Sequence, residues 1–99
     1  VSPSSIELRD SLSRCIAYLH NCAGSRDDRE YEARRWVYTL SEHDAEFRWL
    51  AYKIDTVAVA MVRALEALED WGSAITDGSD PSPATVSAVS SLMAYHDLA

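Results

Sequence analysis

From Ala45 to Ile75 the chain reads AEFRWLAYKIDTVAVAMVRALEALEDWGSAI. No proline interrupts it, and no glycine occurs before Gly72. Phe47, Ile54, Met61, Leu68 and Ile75 recur every seven residues, with Leu50, Val57, Ala64 and Trp71 three later and Ala51, Ala58 and Leu65 beside them. Such a period is that of a helix with one buried stripe, so the stretch predicts a helix, the third of the chain. Its middle, Val57 to Val62, is apolar all round, which predicts burial on every side and a central position. At 1.5 Å per residue the helix would run roughly 40–45 Å, longer than a domain of this size is wide. Either it breaks, or a second subunit covers what protrudes.

Three more helices are expected outward from this segment. Upstream, Ser4 and Ser5 after Pro3, with Glu7 in the first turn, announce helix one; Leu8, Leu12, Cys15, Ile16, Leu19 and Cys22 step by three and four along one face. Gly24 suits its C′ position. The polar run Ser25-Arg26-Asp27-Asp28 offers N-caps for helix two. There Tyr31, Ala33, Trp36, Val37 and Leu40 form a narrower apolar face, while Glu32, Arg34 and Arg35 point largely to water. Ser41-Glu42-His43-Asp44 has the form of a helix restart with Ser41 as N-cap; a bend and a continuous helix both fit it. Downstream, Asp77 to Ser82 is a loop, and Ser82 with Pro83 begins helix four, whose inner face carries Val86, Val89, Leu92, Met93 and His96. Three glycines and three prolines in 99 residues leave too little turn chemistry for a sandwich or barrel. The expected fold is all-α: one four-helix bundle-like domain over residues 1–99 with one long central helix.

The formal net charge is −7, and it is unevenly placed. Residues 1–40 carry six Lys or Arg against six Asp or Glu, whereas residues 41–99 carry three against ten. Such a surface repels phosphate, which disfavours direct binding of nucleic acid and suits a protein partner with a basic surface. No basic segment precedes an apolar run, and no uninterrupted apolar stretch reaches ~18 residues, so neither a secretory leader nor a membrane span is expected. Cys15 and Cys22 lie seven apart on helix one, ~10 Å along its axis, too far to bridge each other. Two unpaired thiols on an apolar stripe fit a reducing compartment, the cytoplasm.

Chemistry-bearing patterns are sparse. His20, His43 and His96 with the two cysteines lack the close paired spacing of zinc sites, and no Glu-x-x-His pair of the di-iron bundle kind occurs, so no metal or other cofactor is expected. Glu66, Glu69 and Asp70 read as a solvated helix face, and His43 with Glu42, Asp44 and Glu46 as an acidic helix N-terminus. Arg14 and His20, with five residues between them, resemble the Arg and His pair of HEPN-type helical ribonucleases, in which the two residues meet across a dimer. The likeness covers those two residues, departs from the family in the cysteine that follows Arg14, and implies an RNA-cleaving enzyme as the alternative function.

Aromatic residues supply the leading expectation. Trp36, Trp49 and Trp71 are many for this length, and aromatic side chains are common anchors of protein interfaces. Phe47 and Leu50 belong to the buried stripe, whereas Trp49, Tyr52 and Val59, with Trp36 and Tyr38, are candidates for a second, partner-facing surface. The function expected is a non-enzymatic protein–protein interaction module, a small acidic adaptor, regulator or inhibitor acting as a homodimer.

Overall fold

The computed structural model describes residues 3–22, 24–76 and 80–98. In chain order they form α1 (Pro3–Asn21), α2 (Arg26–His43), a 3₁₀ segment (Ala45–Tyr52), α3 (Ile54–Asp70) and α4 (Pro83–Tyr95). The described residues contain no strand, and the fold is all-α with a bundle-like arrangement. Helix α3 packs against each of the other three helices. Its Val57, Ala58, Met61, Val62 and Leu65 are buried in one cluster with Leu8, Leu12, Ile16 and Leu19 of α1, Val37 of α2 and Val89 of α4. Val59 and Ala60 are only half-buried, so the apolar middle is covered on three sides and open on the fourth.

The long third helix breaks. Lys53, at φ −129° and ψ 16°, separates α3 from the 3₁₀ segment before it. That segment closes three-residue turns from Phe47 N–H to the Asp44 carbonyl (2.9 Å) and from Lys53 N–H to the Leu50 carbonyl (2.9 Å). In a 3₁₀ turn residues i and i+3 eclipse, so Phe47 and Leu50 point inward together while Trp49 and Tyr52 share the outer side. Ala51, expected in the stripe, is exposed for the same reason. At the other end α3 stops at Asp70. Trp71 caps it and Gly72, at φ 69°, takes the left-handed position. Ser73 N–H returns to the Leu68 carbonyl (3.0 Å) and Gly72 N–H to that of Glu69 (3.1 Å), a Schellman closure. Trp71 is therefore 87% exposed, and Ile75 lies beyond the helix. With α3 reduced to 17 residues, the protein measures 35 × 27 × 24 Å and no end of the helix is left to protrude.

Other boundaries shift by a turn or less. Helix α1 begins at Pro3, which puts Ser4 and Ser5 inside it, and ends at Asn21, so Gly24 lies in the connection rather than at C′. Gly24 has φ 137°, and a Cβ there would lie 2.7 Å from the Asp28 carboxylate. That carboxylate closes a reciprocal capping box with Ser25 at the start of α2. Ser41 is not an N-cap; it is buried within α2, its hydroxyl donating to the Tyr38 carbonyl at 2.6 Å. Asp44 takes the capping role for the 3₁₀ segment by accepting from Glu46 N–H at 3.0 Å. Ser82 caps α4 with Pro83 in its first turn, and its hydroxyl also donates to the Ala74 carbonyl at 2.6 Å, pinning the returning chain. The expected loop from Asp77 lies, over residues 77–79, outside the described residues. His96 caps α4; Asp97 follows at φ 57°, and Leu98 N–H bonds the Met93 carbonyl at 2.8 Å while its side chain enters the core.

Met61 is fully buried, so Met61→Asp places an unpaired carboxylate in the core at a cost of several kcal/mol out of the ~5–15 that hold a domain together. Loss of the cooperative thermal transition is expected for it, against a shift of under ~1.5 kcal/mol for Met61→Leu. At Gly72 a Cβ would meet nothing within 4 Å, so Gly72→Ala carries only the left-handed backbone penalty, about 1 kcal/mol. A melting point lower by roughly 4–8 °C is expected.

Candidate functional site

The five side chains expected at a partner-facing surface fall on three separate ones. Trp36 is half-buried in a groove between α1 and α2, and Tyr38 is exposed further along α2. Trp49 and Tyr52 project from the 3₁₀ segment. The Trp49 ring lies 6.0 Å from the Lys53 ammonium and borders a 340 Å³ cleft with Glu46 and Asp97, and Tyr52 is 91% exposed. Val59 borders a different groove, between α3 and α4.

Helices α1 and α2 gather an aromatic set only partly anticipated. The Tyr18 and Trp36 rings stand 5.7 Å apart, tilted by 35°, over a groove of 560 Å³. Tyr18 is shared with a smaller cleft of 310 Å³, whose other walls include Tyr31, Asp28 and Glu32. Tyr31 was expected on the apolar face of helix two, but it lies about 200° around the helix from buried Ala33 and is 59% exposed. The Arg35 guanidinium sits 5.9 Å over its ring and 3.5 Å from the Glu32 carboxylate. Two turns on, the Tyr38 hydroxyl donates to Glu42 at 2.7 Å, and this bond to a carboxylate raises the phenol above its ordinary pKa. Tyr18 is raised as well, first by its hydrogen bond with Cys22. The steps from Tyr31 to Arg35, Tyr38 and Glu42 are those of one outer helix stripe, the signal in the sequence that marks this face.

Three arginines of α2 are spent on carboxylates of α3. Arg26 pairs with Glu66 at 3.2 Å and Arg34 with Asp55 at 2.8 Å, so neither Arg34 nor Glu66 is left to the solvent alone. Arg29 grips Glu69 with both terminal nitrogens, at 2.9 and 3.4 Å, and His20 Nδ1 reaches the same carboxylate at 2.9 Å, tying three helices at one end of the molecule. Burial pushes the Glu69 carboxyl up, but the hydrogen bonds from Arg29 and His20 outweigh it and hold the group below its ordinary value.

Arg14 and His20 do not converge within the chain. Six positions apart on α1, they point about 240° apart around the helix; Arg14 is exposed, and His20 is engaged by Glu69. Both cysteines are free; Cys15 is buried, and burial pushes its thiol far up, so it stays neutral and inert. Among the described residues no group of three or more His, Cys, Asp and Glu is placed to hold a metal ion. No family model, curated protein or solved structure matches the chain.

Because the carboxyl of Glu69 is lowered by folding, its contribution is present above the ordinary Glu pKa of 4.5 and is lost as pH falls through the lower, folded value. Glu69→Gln should therefore cost about 1–2 kcal/mol at pH 7, for charge-assisted hydrogen bonds in a partly exposed site. The gap between its urea midpoint and that of the unmodified protein should close below pH 4.5 as the carboxyl protonates.

Proposed function

We propose that the protein is a non-enzymatic protein–protein interaction module whose α1–α2 face binds a partner with a basic surface. The observation that carries this is the aromatic set of these two helices: exposed Tyr18 lies against half-buried Trp36 on one side and shares a cleft with exposed Tyr31 on the other, and exposed Tyr38 continues the Tyr31 stripe two turns on. Monomeric surfaces seldom gather aromatic side chains in this way, whereas interface cores are enriched in them. Asp28, Glu32 and Glu42 border the same rings, and the chain as a whole carries −7, so a partner rich in Lys and Arg is drawn to it. Nucleic acid is a poor alternative. Arg9, Arg26, Arg29, Arg34 and Arg35, five of the nine Lys and Arg, are engaged in ion pairs within the protein.

The module is proposed as a monomer rather than the homodimer expected from the length of helix three. That helix ends within the domain, Val59 lies on a different groove from the outer side that Trp49 and Tyr52 share, and two copies would each bring −7 to the contact. No helix among the described residues is long and apolar enough to cross a membrane, and the free, largely shielded thiols suit the cytoplasm. No cofactor is needed.

Tyr31→Ala/Tyr38→Ala tests the face, since both side chains are exposed and their loss should leave the melting point within about 1 °C. A partner co-purified with the unmodified protein should bind the double variant at least tenfold more weakly by calorimetry, as truncation of two aromatic anchors implies. Equal affinity for both proteins would overturn the assignment.

A further inference from the structure

Asp55, Glu66 and Glu69 of α3 are taken up by the arginines of α2. Arg63, also on α3 and exposed, has no carboxylate within ion-pair distance among the described residues. It stands instead at the rim of a groove of 540 Å³ between α3 and α4, floored by Val59, Ala60, Ala64, Ala88 and Leu92. Tyr95, 84% exposed, and His96 rise from α4 on the same groove, their rings in edge contact at 5.0 Å. Of the ten residues that line it none is Asp or Glu, although the chain has sixteen. This is also the open side of the apolar middle of α3, where Val59 and Ala60 are left half-buried.

We propose that this groove docks an amphipathic helix of another protein that carries carboxylates beside its apolar stripe. The three alanines on the floor keep it shallow enough for a third helix axis to come within the usual 8–10 Å. From Thr56 to Ala64 the groove follows α3 for about 12 Å, two turns of a docked helix, which matches anchors at i, i+4 and i+7. Unpaired Arg63 meets a carboxylate on the flank of that helix, and the absence of acidic lining spares it the repulsion met elsewhere on this surface. A second copy of this chain suits the groove less well, because a twofold contact there sets Arg63 and its −7 chain against their own duplicates. The site is separate from the α1–α2 face and does not rest on the function proposed for it.

Two labelled 14-residue helical peptides test the proposal, both with Leu at i, i+4 and i+7, one flanked by Glu and the other by Lys. At about 0.15 M salt, where charges beyond ~8 Å are screened, the Glu peptide should bind the unmodified protein several-fold more tightly than the Lys peptide. Arg63→Glu should reverse that order, each exchange changing affinity by roughly fivefold, the size of one exposed ion pair. Val59→Lys should weaken both peptides, and Tyr31→Ala/Tyr38→Ala should weaken neither, so that failure at one face is distinguished from failure at the other. The proposal is overturned if the peptides bind alike or not at all, if Arg63→Glu leaves their order unchanged, or if sedimentation shows a dimer that neither peptide dissociates.

Discussion

Helix α3 must be covered along its whole inner face, because Val57, Ala58, Met61, Val62 and Leu65 form a continuous apolar band about 140° wide. At ~25 cal/mol per Å² of apolar surface removed from water, that cover is the main favourable term available to a chain of 99 residues. Helices α1, α2 and α4 supply it from three sides. Among the described residues no further helix covers the fourth. The chain's arrangement therefore follows from where α3 ends: the break at Lys53 turns the 3₁₀ segment back along α2, and the left-handed Gly72 releases the chain toward α4. Without those two stops the helix would outrun its cover.

Charge is organised around the same helix. The arginines of α2 meet the carboxylates of α3, and Glu69 adds His20 of α1 to the set, so the excess of acid in the second half of the chain is partly neutralised inside the fold. What remains outside is an acidic surface, and the aromatic α1–α2 face belongs to it: Asp28, Glu32 and Glu42 border its rings, and Arg35 is already held by Tyr31 and Glu32. The α3–α4 groove is the exception, with Arg63 left unpaired among the described residues. Under the two proposals these faces, unlike in charge, would take partners of opposite charge.

Helical periodicity made the class of fold and most of the core legible. Leu8, Leu12, Cys15, Ile16 and Leu19 are buried as their spacing implies, as are Phe47, Leu50, Met61, Val89, Leu92 and Met93. The candidate site was much less legible. Val59 does border a groove, but Trp49 and Tyr52 look elsewhere, since a spacing of three has the same appearance in a 3₁₀ turn as in the first step of a heptad. Tyr31 was misplaced because an aromatic two residues before a small buried one was counted with it; on a helix those positions lie nearly opposite.

The sequence by itself determined that the chain is helical, which residues line the stripes of α1 and α3, that a helix starts within the run from Ser25 to Asp28, and that Ser82 and Pro83 start the last one. These are local properties: period, capping and backbone restriction act within one or two turns. Tertiary structure alone decided that Glu66 and Glu69 face arginines rather than water, that Arg14 and His20 point apart, and that Arg63 is left beside an apolar groove. Each depends on which helix faces which, and spacing along one helix carries no information about its neighbour.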